Sequence, residues 1–374
     1  MITLTMLFGG QQPGPPADYT AGSSGSPVVV WIPPNATMRA IGDILAKADV
    51  VASSAAFDQA AKSYPALSSL PSGYYEVPSR SSGLGAAETL SGNARVGNVV
   101  ISPGQQLLDV TYETSGAGQD QARDVTHGGT GAVKRGIYHQ IAAASCIYGI
   151  IVRCVTYDEL VIAGAFTDPV DLGVPAWAVD QVRSAPDRER RLEGLIGAGS
   201  WDFDPTASPV QIIRQLVTAS TTSYEKAGLL QSSATNGLTP YETVVAVSLV
   251  ERESLPQDMP KVARVILNRL KAGQPLQLDS AFSYWLDINE DATATVTDRT
   301  HPNPWNTYAV TGLPATPVAA ATPQALRAME NPTPGNWLYF VTIDTEGATL
   351  FTDDYTEYLR DIDKAHQSGM NQVN

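Results

Sequence analysis

Residues 239–253 read Thr239-Pro-Tyr-Glu-Thr-Val-Val-Ala-Val-Ser-Leu-Val-Glu-Arg-Glu253. Thr239 can accept from the backbone three residues on. Pro240 suits a first helical turn, and Glu242 stands where it can return a bond to the cap. The run Val244 to Val250 is apolar on nearly every helical face, so this helix is expected to be buried all round. It ends in Glu251-Arg252-Glu253. Carboxylates closing an apolar run either mark where the helix leaves the core or have a task. Glu251 and Glu253 differ by about 200° around a helix, so they cannot share a face. The pattern alone does not choose between them.

Downstream, a helix is expected over about Pro260 to Lys271, stopped by Gly273. Thr322-Pro323 opens a further short helix. Residues 337–343 and 348–351 form a hairpin, and a terminal helix runs from Asp354 to about Gln367. Upstream, Ser208-Pro209 caps a helix carrying Ile212, Ile213, Leu216 and Val217.

Towards the start, Val28 to Ile32 is a strand. Helices follow near Met38–Leu45, Ser54–Ser63 and Ala86–Leu90, with a short strand at 74–77. Val99-Val-Ile101 would close this small module, placed at 28–104. Residues 1–27 read as a Gly/Pro/Ser-rich tether. Residues 105–190 read as a connecting region, with a loop at Gln119–Gly131 and a helix over Ala132–Ser145. The final domain is placed at 191–374. The fold class is therefore α+β.

With 374 residues, 43% hydrophobic and 17% charged, the chain can bury a core in each domain. Its net charge of −14 repels phosphate backbones, which argues against nucleic acid as a partner. Four histidines, His127, His139, His301 and His366, form no metal-binding pair, and no metal or cofactor is expected. No nucleophile elbow or Walker motif is present. Cys146 and Cys154 are either two buried thiols or one short disulfide loop; spacing leaves both open. Residues 301–317, rich in prolines, amides and rings, suit a sugar-binding wall or an ordinary packed loop.

Several linked motifs together resemble the YceG-like endolytic murein transglycosylases. They are Ser248-Leu-Val-Glu-Arg-Glu-Ser254, Pro260-Lys-Val-Ala-Arg-Val-Ile-Leu-Asn-Arg-Leu270 and Gly273-Gln-Pro-Leu-Gln-Leu-Asp279. Asn306-Thr-Tyr308, Gly312-Leu-Pro314, Pro317 and Leu338-Tyr-Phe340 continue the order over about residues 190–360. The resemblance implies a membrane anchor, a LysM-like module and a catalytic domain. Residues 28–104 match the LysM-like part, with Gly73-Tyr-Tyr-Glu at its turn. Met1 to Phe8 would be the trimmed end of the anchor. Residues 105–190 are similar to an insertion of actinobacterial members, which implies a Cys146–Cys154 disulfide.

The same resemblance assigns the catalytic role to Glu251. Supporting or substrate-binding roles fall to Glu253, Asn268, Gln277, Asp279, Asn306, Thr307 and Tyr308, with Gln277, Asn306, Thr307 and Tyr308 lining a sugar cleft. Two departures stand out. Glu193-Gly-Leu-Ile-Gly-Ala-Gly-Ser-Trp201 lacks the family's aspartate, and Gln277-Leu-Asp279-Ser280 replaces the commoner Gln-Thr-Asp-Pro. The implied activity is cleavage of the β-1,4 bond between N-acetylmuramic acid and N-acetylglucosamine, with 1,6-anhydro ends, which terminates glycan elongation. An acid raised in pKa by the apolar run would serve it. A muramidase using a second carboxylate such as Asp279, or a non-catalytic glycan-binding protein, are the alternatives. Peptidoglycan strands, with cell-wall synthases as possible companions, are the implied partners. The implied location is the outer face of the cytoplasmic membrane.

Overall fold

The structure is a computed structural model that describes residues 15–92, 94–112, 132–148, 152–286 and 299–368. The proposed anchor remnant at Met1–Phe8 and the loop at Gln119–Gly131 lie outside the described residues. The architecture is α+β, helices dominating over small antiparallel sheets. Chain contacts divide it into two units, one up to Gly97 with Ile147–Arg153, the other Asn98–Cys146 with Cys154–Asn374.

In the first unit, strands Pro27–Ile32, Gly73–Pro78 and Arg95–Val96 make a three-stranded sheet with Gly73–Pro78 in the middle. Alternation along Gly73–Pro78 sends Tyr75 and Val77 into the core and their neighbours outward. Helices Met38–Lys47, Ser54–Ala61 and Gly83–Ser91 cover the apolar face. Each starts with a hydroxyl cap: Thr37, Ser53 and Ser82 accept from the backbone three residues on. Leu45, Phe57, Val77, Ala86 and Ala87 are fully buried between them. The short pairing of Ile147 and Tyr148 with Arg153 and Val152 belongs to this unit.

The second unit holds two apolar clusters. At its centre lies the helix Pro240–Glu253. The expected capping box is present: Thr239 Oγ1 accepts from Glu242 N at 3.2 Å, and Glu242 Oε2 accepts from Thr239 N at 2.7 Å. Every residue from Thr243 to Val250 is buried, because helices Leu229–Asn236, Met259–Ala272, Asp279–Leu286 and Pro323–Glu330 all pack on it. Gly273 closes Met259–Ala272 in the left-handed conformation, φ 66°. The hairpin is Tyr339–Thr342 with Thr349–Thr352, and Asp354 caps the last helix, Tyr355–Gln367.

Two local readings differ from this fold. Asn98–Ile101 is a strand, but it pairs with Gly199–Asp202 of the second unit instead of closing the first module. A two-faced apolar strand carries no mark of its partner. Ala132–Lys134 is a strand paired with Val110–Tyr112, and the helix starts only at Ile137 after Gly136. Gly136 follows Lys134-Arg135, and a lone glycine there is weak punctuation for a helix start. Residues expected to be a connector also supply core: Ile137, Tyr138, Ile141 and Leu160 share a cluster with Leu192 and Leu195.

Cys146 and Cys154 are joined in a disulfide, with Cα atoms 4.2 Å apart. Replacing both with serine is expected to lower stability by about 2–3 kcal/mol, the chain-entropy value for so short a loop. Urea unfolding of the two forms measures this.

Candidate active site

Glu251 sits in the last turn of the buried helix, half-buried. Its Oε2 accepts two hydrogen bonds from one residue, Thr322 N at 2.8 Å and Thr322 Oγ1 at 2.7 Å. Oε1 makes no hydrogen bond among the described residues. Thr322 is the cap of Pro323–Glu330, and its hydroxyl also accepts from Ala325 N. One oxygen of the carboxyl is thereby clamped and the other is not.

The clamp is itself held from three directions. The buried Ser248 hydroxyl accepts from Val318 N at 3.0 Å and donates to Val245 O. Gly104 N donates to Ala320 O and Ala320 N to Gln105 O, at 2.9 and 2.8 Å. Ala198 N donates to Ala321 O at 3.0 Å. Gly194 (φ 72°) touches the same segment so closely that a Cβ there would stand 2.4 Å from Pro317 Cβ. Thr322→Ala should therefore leave this segment in place. It should cost roughly 1 kcal/mol for the lost cap and slow any Glu251-dependent reaction about ten-fold, the kinetic worth of one hydrogen bond. Thr322→Ser should retain both functions. Thermal melts and initial rates of the two variants check this.

Glu253 points the opposite way, as the helical angle requires. Its Oε1 accepts from Ser280 N at 2.9 Å. Burial raises its pKa, Ser280 offsets part of this, and the Asp279 charge adds to the rise. Asp279 begins the helix Asp279–Leu286 and is held by Tyr308 Oη–H at 2.6 Å and Arg299 Nη2 at 3.3 Å, both on Oδ1. Arg299 also lies 4.6 Å from the Tyr308 ring centre.

The other expected residues divide in two. Gln277 is exposed, in the left-handed conformation at φ 51°, and lines a cavity of about 260 Å³ together with Tyr308. Asn306 and Thr307 do not line it, since both are 0% exposed. Asn306 Nδ2 donates to Arg299 O and His301 O, and its Oδ1 accepts from Tyr308 N. Thr307 Oγ1 accepts from Leu278 N, and Thr307 O accepts from Gln277 N. These two side chains staple the loop that presents Tyr308, because buried polar groups must be satisfied. Asn268 likewise holds the carbonyls of Gly335 and Trp337.

A second cavity, about 500 Å³, is walled by Asp187, Arg190, Trp285, Asn303 and Trp305 among others. Glu251 lines neither cavity. Thr322 was legible in the sequence only as a cap. Arg269, Tyr355 and Tyr358, which wall the smaller cavity, gave no local signal beyond helix ends and aromatic spacing. Among the described residues no group of three or more His, Cys, Asp and Glu side chains could hold a metal ion. Nor is any described helix long and apolar enough to cross a membrane.

The second unit is thus an α+β domain whose central buried helix ends in one carboxyl clamped by Thr322 and another, Glu253, that accepts from Ser280 next to the Asp279–Tyr308–Arg299 cluster. The YceG-like family model matches residues 30–364, and the chain belongs to that family. It is 30% identical over 169 residues to an endolytic murein transglycosylase of Bacillus subtilis (strain 168), covering 45% of this chain and 46% of that one. With an endolytic murein transglycosylase of Streptococcus pneumoniae (serotype 2, strain D39) it shares 25% identity over 189 residues, 48% of this chain and 33% of that one. The matches thus span less than half the length of these relatives. A crystal structure of a yceG-like protein from Listeria monocytogenes superposes with a TM-score of 0.54 at 20% identity, covering 90% of this chain and 99% of that one. That likeness bears on the fold alone.

Proposed function

We propose that the protein is a lytic transglycosylase of peptidoglycan, cutting the β-1,4 bond between N-acetylmuramic acid and N-acetylglucosamine inside glycan strands. Glu251 is the acid and then the base. Protonated, it donates to the glycosidic oxygen as the bond to C1 breaks and the muramyl ring becomes oxocarbenium-like. The carboxylate then accepts the proton of the C6 hydroxyl as O6 bonds to C1, giving a 1,6-anhydro end. The proton count balances without water, so one carboxyl suffices.

The observation that carries this reading is the asymmetric hold on Glu251. Oε2 is fixed by both donors of Thr322, while Oε1 has no partner among the described residues. A carboxyl held on one oxygen keeps its orientation while the other gains and loses a proton. Asp279, the second carboxylate that hydrolysis would use, is held in the same one-sided way, its Oδ1 accepting from Tyr308 and Arg299, so the products and not the hydrogen bonds separate the two chemistries.

By the same reading the strand is bound in part by the first unit, acting as a LysM-like module. Cutting ends glycan elongation beside cell-wall synthases, at the outer face of the cytoplasmic membrane and on a membrane-anchored protein. Mass spectrometry of digested peptidoglycan tests the chemistry. Anhydro-muramyl ends are expected; reducing ends in their place would establish a muramidase.

A further inference from the structure

The cavity of about 260 Å³ beside Asp279 has walls that a neutral sugar does not need. Arg269, in the last turn of Met259–Ala272, is 5% exposed. Its Nε donates to Leu338 O at 2.6 Å and its Nη1 to Leu276 O. No carboxylate lies within ion-pair distance of it among the described residues; Glu253 acts on it only from further off. A buried cation without an anion is costly, and burial pulls the Arg269 pKa down accordingly. Arg299 stands at the same cavity, with one Nη on Asp279 and its side chain 38% exposed.

Four phenol rings complete the walls. Tyr339 packs at 5.0 Å from Tyr358 and 5.5 Å from Tyr355, and Arg269 lies 5.6 Å from the Tyr339 ring centre. Tyr308 holds Arg299 in the same way. Tyr355 is 56% exposed. In a chain of net charge −14, two guanidinium groups backed by aromatic faces, against the one carboxylate of Asp279, leave a local excess of positive charge, with Leu359 and Ile362 in the same wall.

We propose that this cavity binds a carboxylate carried by the muramyl side arm of the glycan. That commitment rests on the reading of peptidoglycan as substrate. Two sources share the chemistry: the lactyl carboxylate, free on strands without peptide, and the carboxylates of an attached peptide. Arg299 and Arg269 take the anion, and the tyrosines pack against the adjoining apolar groups. The site thereby favours muramyl over plain N-acetylglucosamine units.

Calorimetric titration of the full chain carrying Glu251→Gln tests this without turnover. Three probes are compared: N-acetylmuramic acid, an N-acetylmuramoyl peptide with free carboxylates, and tri-N-acetylchitotriose, which has no carboxylate. At least one acidic probe should bind ten-fold or more tightly than chitotriose, and which one does so identifies the source. Adding Arg299→Gln should abolish the preference, while Arg299→Lys and Arg269→Lys should keep part of it. Equal binding of all three probes, or a preference untouched by Arg299→Gln in a folded protein, overturns the proposal. Because binding is read apart from cutting, a chain that keeps the preference but never cuts glycan sinks only the enzymatic reading. One that cuts glycan without the preference sinks only this one.

Discussion

Glu251→Gln is expected to leave the fold intact and slow glycan cutting by at least about a thousand-fold, within the range that acid–base catalysis supplies. The amide can still accept from Thr322 N and Oγ1 through its oxygen, so the clamp survives. What it loses is the proton that cycles through the other position. Glu253→Gln should behave differently. Glu253 faces Ser280 N, away from Thr322, so its loss should act through the placement of Asp279–Leu286 and be far milder. Circular dichroism and release of soluble glycan from purified wall separate the two. Full activity in Glu251→Gln would remove the single-carboxylate mechanism outright.

The second large effect concerns stability. Glu193 is 1% exposed, and its carboxylate accepts from Leu107 N at 3.2 and 2.9 Å and from Gly194 N at 3.2 Å. Burial nonetheless raises its pKa from 4.5 to about 7; the two backbone donors, Tyr284 and Arg190 offset only part. The folded state therefore holds the Glu193 proton more tightly than the unfolded chain does. Its contribution is fully present below pH 4.5, falls as pH rises, and is lost above about 7. The rise from 4.5 to about 7 is worth about 3 kcal/mol. Comparing wild type with Glu193→Gln removes every other titration common to both. The variant should gain on the wild type by up to about 3 kcal/mol between pH 4.5 and 8 in urea unfolding. A constant difference across that range would show that Glu193 titrates normally.

Much of the second unit was legible because its helices announce their ends. Thr239 with Glu242, Ser208 with Pro209, Thr322 with Pro323 and Gly273 each carry a local mechanism, and each marks a real terminus. Strand partners were not legible in the same way. Val99–Ile101 has the same pattern whether it joins Gly199–Asp202 or the first sheet, since only tertiary packing decides. The site shows the same limit. Asn306 and Thr307 look like ligand-binding polar residues but are consumed by the backbone around them. A polar side chain that satisfies a buried loop and one that faces a ligand are spelled identically. Helical angle separated Glu251 from Glu253, and only the three-dimensional fold showed what each one touches.

The central claim is that one carboxyl closes the sugar on itself with no water taken up. Digestion of peptidoglycan in water enriched in oxygen-18, followed by mass spectrometry of the released muramyl ends, tests this most directly. The mechanism predicts products lighter by one water than hydrolysis would give, and free of the heavy isotope. One oxygen-18 incorporated per cut would contradict it.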